Sequence, residues 1–141
     1  MSGPELKSIS KAEFVVMECI WKHSKLDSKG LASVLDGKVD WHENTIRTLL
    51  LRLVKKGFVS RENIGRSFRY RAVIPRSTYV SQRIQICTDE LFEGNSARLL
   101  ETIISNAFIS ESDIRNLMTV LDQKQGRLLR SSLTRVAMRQ K

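Results

Sequence analysis

The stretch NTIRTLLLRLVK, residues 44 to 55, mixes short hydrogen-bonding side chains with long cations. Asn44, Thr45, Arg47, Thr48, Arg52 and Lys55 recur at helical spacing, and their types suit one chemistry. A threonine hydroxyl can bond to a base edge, and its methyl can touch the methyl of thymine. An arginine fork matches O6 and N7 of guanine, while arginine and lysine also hold phosphate. Other chemistries find no such set. His23 and His42, the only histidines, have no second ligand at metal spacing. Cys19 and Cys87 lie far apart and read as small buried or half-buried thiols, not as a disulfide scaffold or a metal site. No Ser-His-Asp set and no phosphate-cradling glycine loop is present. No catalytic residue, metal or cofactor is expected.

On a helix of 3.6 residues per turn, Ile46, Leu49, Leu50 and Leu53 share one face and form its core stripe. Thr45, Thr48 and Arg52 turn the other way, flanked by Asn44, Arg47, Leu51 and Lys55. Leu51 thus has no core to enter. Contact with a thymine methyl or sugar edge suits it, and so does packing under a neighbouring element. A charged helix face is ordinarily a solvated one, so the distribution of charge has to decide. The net charge is +9, yet residues 44–71 hold eight arginines and lysines against one acid, Glu62. Residues 124–141 hold six and no acid. Two basic segments on a mildly acidic body are the footprint of a polyanion partner, not of general solubilising charge.

The surrounding elements follow from capping and periodicity. SKAE at Ser10–Glu13 is a capping box, opening a helix over about Lys11 to His23 with Phe14, Met17, Ile20 and Trp21 on its apolar face. A second, short helix spans about Ser28 to Leu35, with Gly37 as its stop. The basic helix spans about His42 to Lys56, with Asp40 as a candidate cap and Gly57 at C′. The period then changes to two. Phe58 to Glu62 and Ser67 to Val73 read as strands joined by NIGR, with Phe68 and Tyr70 on one side and Ser67, Arg69 and Arg71 on the other. The hairpin adds Arg61, Arg66, Arg69 and Arg71. A two-stranded ribbon beside a recognition helix is the wing of a winged helix-turn-helix. Trp21 and Trp41 suit the core or the helix–wing junction, and Trp41 could instead lie on a DNA backbone.

After Pro75 the pattern is helical again, over about Thr78 to Phe92, Ala97 to Ala107, and from Ser110 onward. Tyr79, Leu91, Leu99, Leu100, Ile103, Ile114, Leu117 and Leu121 mark apolar faces too wide for so small a region to cover alone. A second copy of the chain would cover them. The tail, 124–141, reads first as a solvated or disordered segment, then as an added helix on the dimer, and last as a further contact to DNA or an acidic surface. No apolar run approaches the roughly 20 residues that span a bilayer, and MSGPELKSIS lacks a signal peptide's apolar core, so the cytoplasm is the expected compartment.

Together, Trp21, Trp41, TIRTLLLRLVKKG and GRSFRYRAVIP resemble the penicillinase-repressor family of bacterial regulators. Thr45, Thr48, Arg52, Leu53, Lys56, Gly57, Gly65, Arg66, Phe68 and Tyr70 stand where that pattern places them. The resemblance covers about residues 8–123, most closely up to Pro75. It implies a mainly α fold with a small β-hairpin: a winged helix-turn-helix domain over 8–75, a three-helix dimerisation region over 76–123 and a basic tail over 124–141. It also implies a repressor that binds a palindromic double-stranded DNA operator as a homodimer, controlling a resistance or stress operon and answering to an inducing protease or sensor. It carries over Asn44, Thr45, Arg47, Thr48 and Arg52 in the recognition helix and Arg66 with its neighbours in the wing; with Lys55 from the helix face and Arg69 from the hairpin, these make the expected DNA-binding set. Two departures stand out. The Cys-x-Cys pairs of the copper-responsive branch are absent. Thr102–Ile103 occupies the place of the Asn–Phe bond cut in the β-lactam branch, and NAF at Asn106–Phe108 is displaced from it. The rival class is a winged-helix protein-interaction module whose basic face meets an acidic partner. Thr45 and Thr48 favour DNA, because a purely electrostatic partner does not need them.

Overall fold

Ser10 caps the first helix, its hydroxyl accepting from the Glu13 amide at 3.1 Å. The computed structural model describes residues 7–139, so the first six residues and the last two of the tail lie outside it. In chain order the elements are α1 (Lys11–Lys22), β1 (Leu26–Asp27), α2 (Ser28–Leu35), α3 (Glu43–Lys55), β2 (Val59–Ile64), β3 (Ser67–Ala72), α4 (Arg76–Phe92), α5 (Ser96–Asn106) and α6 (Glu111–Arg139). Three helices followed by a ribbon make the expected winged helix-turn-helix, and three more helices follow it. The chain divides between Glu90 and Leu91 into two compact units.

The first unit is built around α3. Ile46, Leu49, Leu50 and Leu53 are buried against Val16, Met17 and Ile20 of α1 and Leu31 and Leu35 of α2. Helix α3 then ends in a Schellman turn. Gly57 takes φ +83°, its amide donates to the Val54 carbonyl at 3.1 Å, and the Phe58 amide donates to the Leu53 carbonyl at 3.0 Å. This pattern needs a left-handed residue at C′, where glycine costs least. It drives Phe58 and Leu53, both fully buried, together under the start of the wing. Asp40 does not cap α3. His42 sits at the N-cap without a side-chain bond, and its carbonyl accepts from the Thr45 amide.

Three details of the sheet differ from the sequence reading. It has three strands, in the order β1-β3-β2, all antiparallel. Leu26 pairs with Tyr70 and Asp27 with Arg69. Two residues are too few to show alternation, so β1 is visible only through its partner. The β2–β3 ladder also runs further than expected, to Ile64 opposite Ser67. The turn is therefore two residues, with Gly65 at φ +61° in the first central position, as the twist of hairpins prefers.

Tyr79 is a correction. It is not an exposed dimerisation residue but a core residue of the first unit, 8% exposed. Its ring lies 5.8 Å from those of Phe14, Trp21 and Phe58. Trp21 also donates to the Ile74 carbonyl at 2.8 Å, which fixes the exit from the wing. Three aromatic partners on α1 and the wing bury Tyr79 more completely than a helix surface could. The first unit consequently extends past Pro75 into α4.

Glu13, 3% exposed, does not complete a reciprocal capping box with the Ser10 amide. Its carboxylate accepts from Lys56 Nζ at 2.8 and 2.9 Å and from the Ser10 hydroxyl at 3.2 Å. Lys56 also donates to the Ser8 carbonyl. The last residue of the α3 cap is thus tied to the start of α1. Removing one partner of a buried pair leaves the other charge uncompensated. Lys56→Met is expected to destabilise the protein by about 3 kcal/mol in urea titrations, and the double variant Glu13→Gln/Lys56→Met by clearly less.

Candidate nucleic-acid interface

The burial of Ile46, Leu49, Leu50 and Leu53 turns the other side of α3 to solvent. Asn44, Thr45, Arg47, Thr48, Leu51, Arg52 and Lys55 are all exposed there. The row Asn44, Thr48, Leu51 and Lys55, at i, i+4, i+7 and i+11, runs down the middle of that face. Leu51 therefore lies at its centre, not on its flank, and is 48% exposed. Thr45 and Arg52 line one border and Arg47 the other. Two of these side chains are already held. Arg47 pairs with Glu43 at 2.9 Å, and the Thr48 hydroxyl donates to the Asn44 carbonyl at 2.9 Å.

The border with Arg47 faces the wing across an open cleft of about 620 Å³. Arg47 and Leu51 form its α3 wall, and Arg61, Arg66, Ser67, Phe68 and Tyr70 its wing wall. Asp27, Ser28 and Lys29, where β1 meets α2, close one end. Four cations, Lys29, Arg47, Arg61 and Arg66, meet one acid, and that acid is engaged. Asp27 caps α2 by accepting from the Gly30 amide at 2.6 Å. Arg61 lies over the Phe68 ring, 4.5 Å from its centroid, a cation–π contact that holds the guanidinium at the cleft. A cationic rim around an apolar floor suits a sugar–phosphate strand better than it suits a small anion.

Strand register separates the wing arginines. Tyr70 is buried, so Phe68 shares its side of β3 while Arg69 and Arg71 point the opposite way. Pairing places Arg61 opposite Tyr70 and Glu62 opposite Arg69. Arg69 therefore lies with Ser60, Glu62 and Arg71 on the far side of the wing. Arg69, expected in the binding set, thus lies outside the cleft. Arg61 takes its position facing α3. Ser28 and Lys29 join the cleft although nothing in their own neighbourhood of the sequence marks them. Pairing of β1 with β3 brings them there.

In the second unit, helices α5 and α6 bury none of their described residues. Leu91, Leu100, Ile103, Ile114, Leu117 and Leu121 are all exposed, and Leu99 is half-buried. Ser110 opens α6 with a reciprocal box, its hydroxyl accepting from the Asp113 amide at 3.1 Å while its own amide donates to the Asp113 carboxylate at 3.4 Å. The stretch with three open readings, from 124 to Arg139, is helical and continuous with α6. Its apolar residues Leu128, Leu129 and Val136 fall on the same face as Ile114, Met118 and Leu121, with Gln125 and Ser132 interrupting the stripe.

No group of three or more potential metal ligands occurs among the described residues. Burial pushes the Cys19 thiol above its usual pKa, away from the thiolate that metal binding or nucleophilic chemistry needs. No helix among the described residues is long and apolar enough to cross a membrane.

The family model described as penicillinase repressor matches residues 9–123. The penicillinase repressor of Bacillus licheniformis is 30% identical over 123 residues, covering 87% of this chain and 96% of that protein. An uncharacterised 16.5 kDa protein of Latilactobacillus sakei is 34% identical over 116 residues, covering 82% of this chain and 80% of its own length. Among solved structures, the DNA-binding domain of the repressor BlaI is 39% identical over 56% of this chain and 94% of that domain, with a TM-score of 0.49.

The register makes a prediction about the two faces of the wing. With double-stranded DNA at matched ionic strength, Arg61→Ala is expected to weaken binding several-fold and Arg69→Ala by less than twofold, measured by fluorescence anisotropy. Equal losses would place both faces of the wing against DNA.

Proposed function

The chain belongs to the penicillinase repressor family and is a DNA-binding transcriptional repressor, and we propose that it binds a palindromic operator as a homodimer. The outward face of α3 reads bases in the major groove, and the cleft beside it holds one strand of the backbone. The observation that carries this reading is the cleft itself. Four cations from three separate elements converge on one side of a helix whose exposed face also carries Asn44, Thr45 and Thr48. Phosphate contacts set position, and the α3 side chains supply sequence choice. Arg52, on the border away from the wing, is placed to fork onto guanine.

The homodimer is supported by the second unit. Leu100, Ile103 and Leu121 are each about half exposed, and a second copy offers the same apolar stripes in return. Because Leu128, Leu129 and Val136 continue that face, the second copy would extend along the tail, with Arg127 and Arg130 on the outside. The dimer would present two α3 helices to successive major grooves, roughly 34–36 Å apart. Bound in this way, it excludes polymerase from the promoter.

A gel shift against the DNA upstream of the chain's own gene tests the reading, with a shift at nanomolar protein expected and none on unrelated duplex. Arg52→Ala is expected to cost about 1–3 kcal/mol and to relax base choice at one position per half-site. A uniform loss across unrelated sequences would instead make Arg52 a phosphate contact. Affinity should fall steeply between about 50 and 200 mM salt. Sedimentation at micromolar concentration should give a dimer, and a monomer there would refute the assembly.

A further inference from the structure

Leu51 is an exposed leucine at the centre of a face that otherwise carries polar and cationic side chains. Nothing in the free protein requires it. It is 48% exposed, and the core stripe of α3 is complete without it. The residue one turn before it, Thr48, has its hydroxyl hydrogen committed to the Asn44 carbonyl. Between the donors of Asn44 and Lys55, the middle of the face therefore offers apolar surface from the Thr48 methyl and Leu51. Across the cleft stands Phe68, also exposed at 38% and backed by Arg61.

We propose that Leu51 is a specificity-determining residue that reads the C5 methyl of a thymine, one in each half of the operator. The inference rests on the operator-binding reading above. The C5 methyl is the one apolar group that a standard base pair presents in the major groove. A donor-poor apolar patch at the centre of a recognition face discriminates for it. It gains from covering the methyl, and it leaves a base-edge acceptor or amino group unpaired when another base takes that place. Phe68 lies on the wing, so it covers the adjoining sugar edge, and Arg61 above it reaches the phosphate.

The test uses the full chain and an operator enriched from a pool of random duplexes. Each thymine of that operator is replaced singly by deoxyuridine, in both halves, which removes only the methyl. At one thymine per half-site, the unaltered protein is expected to weaken about fourfold for each methyl removed. Leu51→Ala should bind the thymine operator more weakly and should not distinguish uracil from thymine at that position. Its melting temperature should stay within about 2 °C of the parent's. Uracil tolerated at every position, or a uracil penalty undiminished in Leu51→Ala, overturns the assignment while leaving operator binding intact. A larger fall in melting temperature overturns it too, by showing that Leu51 packs under the wing. A pool that yields no enriched sequence overturns the base-reading function and this inference with it.

Discussion

The binding face depends on how α3 ends. The left-handed Gly57 reverses the backbone, and the Phe58 and Gly57 amides close onto the Leu53 and Val54 carbonyls. Lys56, at the C-cap, is drawn back into the protein by Glu13. One short segment thereby stops the helix, starts β2 and anchors both to α1. Without this joint, α3 and the wing would still each carry arginines, but nothing would fix the cleft between them. Lys56 shows the division of labour within the basic run. It serves the joint, while Lys55 beside it stays exposed.

The same logic separates affinity from sequence choice. Charges around the cleft come from α2, α3 and the wing, elements far apart in sequence that the sheet brings together. They suit the regular part of DNA, its phosphates. The side chains that could distinguish bases sit on a single helix, where packing holds their spacing rigid. A base contact loses its value if its position drifts by an ångström, whereas a phosphate contact tolerates more. Four buried side chains of α3 hold that geometry.

Much of this was legible in the sequence because the features are local and periodic. Ser10, Gly57 and the stripe of Ile46, Leu49, Leu50 and Leu53 each follow from capping or from 3.6-residue spacing. What could not be read was decided by long-range pairing. Strand β1 has two residues and exists only because β3 lies beside it. Lys29 enters the cleft through that same pairing. Alternation already sets Arg69 opposite Phe68 and Tyr70; only the fold shows that the Phe68 side is the one facing α3. Tyr79 looked like one apolar residue on a helix face until Phe14, Trp21 and Phe58 were found around it. The stretch beyond residue 123 kept several readings open because its apolar spacing is interrupted at Gln125 and Ser132, yet it continues α6 without a break.

Amide chemical-shift mapping of the full chain with its operator DNA bears most directly on the central claim, that one face made of α3 and the near side of the wing binds DNA. The account predicts that the largest shifts fall at Asn44 to Lys55 along α3, at Ser28 and Lys29, and from Arg61 to Phe68. Ser60, Arg69 and Arg71 on the far side should change least. Shifts centred on that far side, with α3 unmoved, would contradict it.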